Sequence, residues 1–255
     1  MMTPNLGDTT VQVSVVLPAY NEVDYLKPAV EKIIAALNEF VETYEIIIAE
    51  DGSTDGTAKR ADELAQEYPR VKHLHREERL GRGTALNNAF RNSKGEVLVY
   101  MDLDLATDLK YLKPLIDAIT VEGYDFSTGS RMLSDSKAKR TFSRGFSSKI
   151  YNSLVRHMLG SNLKDHQCGF KAFRRSSILD LINEVEATHW FWDTETMVRG
   201  YRRGYKIKEI AVEWKSGKDT KVNLIKDSWS MFCQVLSLWW KLKTKKITAT
   251  FEREE

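Results

Sequence analysis

The stretch VLVYMDLDL, residues 97–105, decides the fold. Five apolar residues in a row, Val97 to Met101, read as a strand buried on both faces, the pattern of a parallel sheet covered by helices. Two carboxylates, Asp102 and Asp104, follow at once. Residues two apart on a strand point to the same side, so both acids are expected to project from its carboxyl end, where open α/β sheets bind ligands. Adjacent carboxylates repel unless a cation neutralises them. Mg²⁺ takes one or two carboxylates and fills its shell with water and phosphate oxygens, and Mn²⁺ suits the same donors. Turn acids or a helix cap would explain an isolated D-x-D equally well.

Working outward, the same grammar repeats. Val13 to Leu17 is a short apolar run closed by Pro18, and Glu45 to Ala49 is a second. Val71 to Leu74 and Asp125 to Thr128 read as further strands. Between them, Leu26, Val30, Ile33, Leu37 and Phe40 recur at helical spacing. Thr54 or Asp55 can cap a helix towards Glu67, a helix is expected from Thr84 to Asn92, and Asp108 can cap one through Ile119. This βαβα order predicts a mainly parallel sheet with helices on both faces. Beyond it, Ile150 to Leu159 carries an apolar helical stripe, Gly169 to Phe173 reads as extended, Trp192 to Arg203 as helix, and Ile207 to Trp214 as one strand. Lys215 to Asn223 is a polar loop. The simplest partition is one domain over 1–225, in two halves (about 11–130 and about 131–225), with an amphipathic helix and tail over 226–255.

Composition narrows the classes. The chain has 255 residues, 42% hydrophobic and 29% charged, with a net charge of +2, which fits a folded protein and gives no argument for nucleic acid. Two cysteines, Cys168 and Cys233, imply neither a disulfide framework nor structural zinc. The five histidines lack the H-x-x-x-H spacing of a metal helix. No signal peptide and no spanning helix are expected. Arg131 to Gly160 holds seven Lys/Arg against one acid, Asp135; such a stretch attracts phosphates or an anionic membrane, or is simply a solvated face.

Two more polar clusters close strands. Glu50-Asp51-Gly52-Ser53-Thr54-Asp55-Gly56-Thr57 follows the second, and Pro18-Ala19-Tyr20-Asn21-Glu22 ends the first. Their acids can accept hydrogen bonds from a base or ribose, or serve as turn and cap residues. Together, VVLPAYNE (15–22), EDGSTDGT (50–57), RLGRGTALNNAF (79–90) and YMDLDLAT (100–107) resemble, in order and spacing, the family-2 glycosyltransferases. The resemblance implies a GT-A fold, Rossmann-like, with a C-terminal amphipathic extension. The family usually has two Asp before Gly-Ser; Glu50 is a conservative departure. By resemblance, Pro18, Tyr20, Glu22 and Asp51 line the nucleotide pocket. Asp102 and Asp104 hold Mg²⁺ or Mn²⁺ against a diphosphate, and Arg79 and Arg82 approach that group.

In the second half, Gly129-Ser130-Arg131, Asp165-His166-Gln167-Cys168-Gly169-Phe170-Lys171, Trp192-Asp193-Thr194-Glu195 and Glu213-Trp214 with Lys221 resemble the polyprenyl-phosphate glycosyltransferases, the dolichyl-phosphate β-glucosyltransferase group above all. This implies inverting transfer of a hexose, glucose favoured, from UDP-glucose to polyprenyl or dolichyl phosphate. Alternatives are a mannose synthase using GDP-mannose, a family-2 transferase acting on a glycan hydroxyl, and a nucleotide-sugar-binding module without catalysis. Arg131 can grip a phosphate with its planar fork, and Gln167 offers donor and acceptor groups to sugar hydroxyls. Asp193 and Glu195 on one helix do not share a face, so one of them is expected to meet sugar or acceptor. The implied location is peripheral, on the cytoplasmic face of a membrane. Trp229 to Trp240 is uncharged but covers only about 18 Å as a helix against a hydrocarbon core of about 30 Å.

Overall fold

The first strand, β1 (Val13–Ala19), is buried along its length except at Pro18. Alternate residues feed opposite layers: Val13, Val15 and Leu17 join one core, and Val16 joins the other. The same division holds in β2 (Tyr44–Glu50), where Ile46 and Ile48 face one way and Ile47 and Ala49 the other. A sheet apolar on both faces must be covered on both. In the computed structural model, which describes residues 10–139, 142–215 and 224–251, helices do so. On one side lie α1 (Val23–Asn38) and α2 (Thr57–Glu67), with α4 (Leu112–Thr120) after a 3-10 turn at Leu109–Tyr111. On the other lie α3 (Arg82–Asn92), α6 (Arg175–Leu181) and α7 (Trp192–Arg202).

The remaining strands are β3 (Val71–Leu74), β4 (Val97–Met101), β5 (Phe126–Ser130), β6 (Lys137–Lys139), β7 (Phe170–Arg174), β8 (Ile207–Ala211) and β9 (Glu213–Lys215). Seven of them form one sheet in the order β3-β2-β1-β4-β7-β5-β8. It is mainly parallel as expected, but β7 runs antiparallel to both β4 and β5. That insertion brings Gly169, just ahead of β7, against Asp102, just after β4.

Several boundaries differ from expectation for physical reasons. Pro18 does not end β1. Ala19 turns its carbonyl towards β2, accepting from the Asp51 N–H, so Pro18 one residue back faces β4, whose pairing stops at Val16. No ladder bond is lost to the missing N–H. The expected strand over 207–214 is two: β8 pairs with β5, then the chain passes through buried Val212 and β9 pairs with β6. Part of the basic stretch is therefore ladder, not open loop. Two further helices are α5 (Phe142–Leu159) and α8 (Leu224–Phe251). Val235 and Leu238 of α8 pack on Val155 and Leu159 of α5 and on Phe191 and Val198.

Candidate active site

The strand ends converge on Asp102 and Asp104, though not by strand alternation. β4 stops at Met101, and the D-L-D-L text is a tight turn closed by Leu105 N–H donating to the Asp102 carbonyl. Leu105 sits at φ 46°, a left-handed conformation costly for a branched side chain. Leu103 turns into the core, and the two acids face a cleft shared with Thr107, Gly169 and Trp214. Burial pushes both carboxyls above the usual range. For Asp102 the charges of Asp104 and Asp193 add to the rise and Arg82 opposes it; for Asp104 the nearby Glu22 adds. Such a pair gains from a cation between its carboxylates.

Gly169 is required by this arrangement. A Cβ there would stand 1.9 Å from Asp102 Oδ2. The backbone closes the same contact, with Asp102 N–H donating to the Gly169 carbonyl at 3.1 Å.

Behind Asp102 lies a buried charge network. Arg82 donates to Asp102 Oδ1 at 2.5 Å and to Asp193 Oδ2 at 3.0 Å, with its guanidinium 5.1 Å from the Trp190 ring centre. Burial works against its charge, but the two carboxylates outweigh burial and raise its pKa. Asp193 also accepts from Lys171 Nζ at 2.8 Å and from the Tyr100 hydroxyl. Burial alone would raise the Asp193 pKa; Lys171 and Arg82 reverse this and hold it ionised, below the usual range. Lys171 and Tyr100 stand within the quoted motifs, but sequence reasoning assigns them no role. The available signal was a lysine inside the apolar strand FKAF, which must find an anionic partner.

The first-strand and second-strand motifs are laced together. Asn21 N–H donates to Ser53 Oγ, Thr54 N–H to Asn21 Oδ1, and Glu22 N–H to Thr57 Oγ1. Asp55 accepts from the Thr57 N–H at 3.0 Å at the start of α2. Asp51 is buried, and its two oxygens accept from the Leu80 and Gly81 N–H groups at 2.9 and 2.7 Å. Its visible work is to pin the segment carrying Arg79 and Arg82. Arg79 in turn lies over Tyr20, its guanidinium carbon 3.8 Å from the ring centre.

Other expected residues lie elsewhere or are already engaged. The Arg131 fork is closed on Asp165, with Nε and NH2 at 2.6 and 2.9 Å, and the guanidinium carbon lies 5.6 Å from the Trp214 ring centre. Those two donors are spent on a buried carboxylate, which corrects the expectation of a fork open to phosphate. Glu195 is turned away from the cleft: it accepts from the Glu186 and Ala187 N–H groups and from Arg199, holding a loop. Of the two helix acids, Asp193 is the one linked to Asp102, through Arg82. Gln167 Nε2 reaches Met231 of α8 at 3.5 Å. His166 is buried between Asn152 and Ser161, and burial drops its pKa to about 3. Cys168 is buried with its thiol pushed up to about 11, so it is no nucleophile. Lys221 lies outside the described residues.

Residues 14–182 match the protein family described as glycosyl transferase family 2. The chain belongs to that family. Glycosyltransferase AglD of Haloferax volcanii is 46% identical over 237 residues, covering 92% of this chain and 38% of AglD. This chain therefore spans little more than a third of AglD. Dolichyl-phosphate beta-glucosyltransferases of Trichomonas vaginalis and Saccharomyces cerevisiae are 32% and 29% identical, covering 84% and 89% of this chain and 69% and 75% of their own lengths. Among solved structures, the UDP complex of glucosyl-3-phosphoglycerate synthase from Mycobacterium tuberculosis has a TM-score of 0.67 at 21% identity, covering 90% of this chain and 80% of that one. Mannosyltransferase PcManGT of Pyrobaculum calidifontis, with GDP-Man and Mn²⁺, has a TM-score of 0.58 at 21% identity, covering 82% and 58%. These likenesses bear out the GT-A type of α/β fold.

Proposed function

We propose that the chain is an inverting transferase that moves glucose from UDP-glucose to a polyprenyl or dolichyl phosphate at a membrane face. The observation that carries this reading is the state of Asp193. A hydroxyl acceptor needs a general base, and the acid best placed to serve is ionised but committed to Arg82, Lys171 and Tyr100. An acceptor phosphate brings its own negative charge and needs little deprotonation. The names of the Trichomonas and yeast relatives support the same acceptor and sugar.

Asp102 and Asp104 fit Mg²⁺ or Mn²⁺: two acids in one cleft, each with a raised pKa, above a glycine that leaves room for the first. When bound, the ion would neutralise charge on the leaving diphosphate. The chain's own residues do the rest. Tyr20, with Arg79 over its ring, and Pro18 line the nucleotide pocket, and Asp51 shapes it by anchoring Leu80 and Gly81. Glu22 adds a carboxylate beside Asp104. Arg82, held by Asp102 and Asp193, sets a fixed positive charge under the diphosphate, stabilising charge as it develops. Asp165 holds Arg131 at the Trp214 side of the cleft, where the neutral pair shapes that wall rather than gripping phosphate with a free fork. Gln167 sits between this cleft and α8.

In this reading α8 docks on the membrane surface. Among the described residues no helix is long and apolar enough to cross a membrane. On α8, Trp229 is 69% and Trp240 63% exposed, on the side away from Val235 and Leu238. Tryptophan favours the membrane–water interface.

The test is a donor and acceptor screen. UDP-glucose with a short polyprenyl phosphate should give lipid-linked glucose, while the matching polyprenol gives none. Equal use of the free alcohol would overturn the acceptor, and exclusive use of GDP-mannose would overturn the donor.

A further inference from the structure

Where β2 and β3 end side by side, three ligand-type side chains outside the Asp102/Asp104 pair meet. We propose that Glu50, His73 and His75 form a second divalent-metal site, an imidazole–carboxylate site of the Zn²⁺ class. One ligand atom from each lies within 4.8 Å of the other two. The placement follows from register: Ile48 and Ala49 of β2 pair with His73 and Leu74 of β3, so Glu50 falls opposite His75. Residues two apart share a side, which brings His73 to the same place.

Each ligand is already oriented. The Glu50 side chain is fully buried; Oε1 accepts from the Ser53 N–H, and Oε2 lies 2.5 Å from His75 Nδ1. His73 is 6% exposed, and its Nδ1 is held by Asp62 at 2.7 Å. A carboxylate on Nδ1–H sets the tautomer that leaves a lone pair on Nε2, the arrangement by which metal-binding histidines are aimed. His73 Nε2 is buried and has no hydrogen-bond partner. A buried polar atom without a partner is costly, and a metal ion is a partner that this atom can take. Two imidazoles and a carboxylate suit Zn²⁺, with a fourth position left to water. The donor set differs from the all-oxygen Asp102/Asp104 pair, so Mg²⁺ does not compete for it.

The ion would act as a clamp. The segment after His75 runs over Gly52, where an added Cβ would meet Arg79 N at 2.7 Å, and it ends at Leu80 and Gly81, held by Asp51. Joining the ends of β2 and β3 fixes the root of the segment that carries Arg79 and Arg82.

The test is a titration of the chelator-treated full chain with Zn²⁺ in excess Mg²⁺, against a competing chromogenic chelator. The proposal expects one Zn²⁺ per chain. Affinity should be unchanged in Asp104→Asn, which separates this site from the cleft, and about 10- to 100-fold weaker in Asp62→Asn. It should be lost in His73→Asn and in His75→Ala. His75 is half exposed, so its replacement spares the core, and circular dichroism confirms the fold of each variant. No uptake by the wild-type chain, or undiminished uptake by folded His75→Ala, would overturn the site whatever the transferase assay shows.

Discussion

Replacing Gly169 with alanine tests the geometry of the cleft without removing any functional group. The new Cβ would lie 1.9 Å from Asp102 Oδ2, whereas ordinary contact starts at 3.4 Å, so the carboxylate must retreat by about 1.5 Å. The Gly169 φ is not in the left-handed range, so the backbone itself accepts alanine. A shift of that size disturbs both the contact of Asp102 with Arg82 and its placement beside Asp104. A displacement of about 1 Å at a reacting site costs on the order of 10²-fold in rate, so kcat should fall roughly 100-fold. The substitution buries no unpaired group, and the folded state should survive. Steady-state transfer kinetics and a urea melt on the same sample give both quantities. Activity within threefold of wild type would mean that Asp102 is not held where the structure places it. Loss of the fold itself would make Gly169 a packing residue.

Three further outcomes follow from the same contacts. Arg131→Ala should destabilise the chain by about 3 kcal/mol, because it takes the cation and two side-chain donors from the buried Asp165 carboxylate and leaves it only backbone N–H donors; an unchanged urea midpoint would mean that this pair does not hold β5 in place. His166 is neutral in the fold, with a pKa near 3 against an ordinary 6.5, so the unfolded chain binds the extra proton. Its share of stability is whole above pH 6.5 and drains by about 1.4 kcal/mol per unit as pH falls towards 3; urea melts from pH 7 to 4.5 should show that slope, and His166→Gln should flatten it. Trp229→Ser/Trp240→Ser should keep the fold yet weaken co-sedimentation with anionic vesicles, and no vesicle binding by the wild-type chain at low salt would end the docking proposal.

How much of this was legible depends on the range of the physics. The runs at Val13, Glu45 and Val97 are apolar on both faces, and that alone implies strands covered on two sides. The pairing of Asp102 with Asp104 was legible as an outcome, but its cause was not: strand alternation was expected, and a turn through a left-handed Leu105 does the work. Antiparallel β7 could not be placed, because five residues, FKAFR, carry no direction and their partners lie on β4 and β5. Arg131 looked like a phosphate fork because its buried partner, Asp165, is 34 residues away. The Glu50–His73–His75 cluster depends on the register of β2 against β3, and a search for helical H-x-x-x-H spacing passes over a strand-spaced H-x-H.

The most direct measurement is transfer of labelled glucose from UDP-glucose to a short polyprenyl phosphate, made on the metal-stripped chain with and without Mn²⁺ and on Asp104→Ala. Asp102 and Asp104 are taken to hold the ion against the leaving diphosphate. Product should therefore form only with Mn²⁺ and wild-type chain, and circular dichroism should show the variant folded. Equal turnover by stripped wild-type chain in excess chelator, or by Asp104→Ala, would contradict that claim.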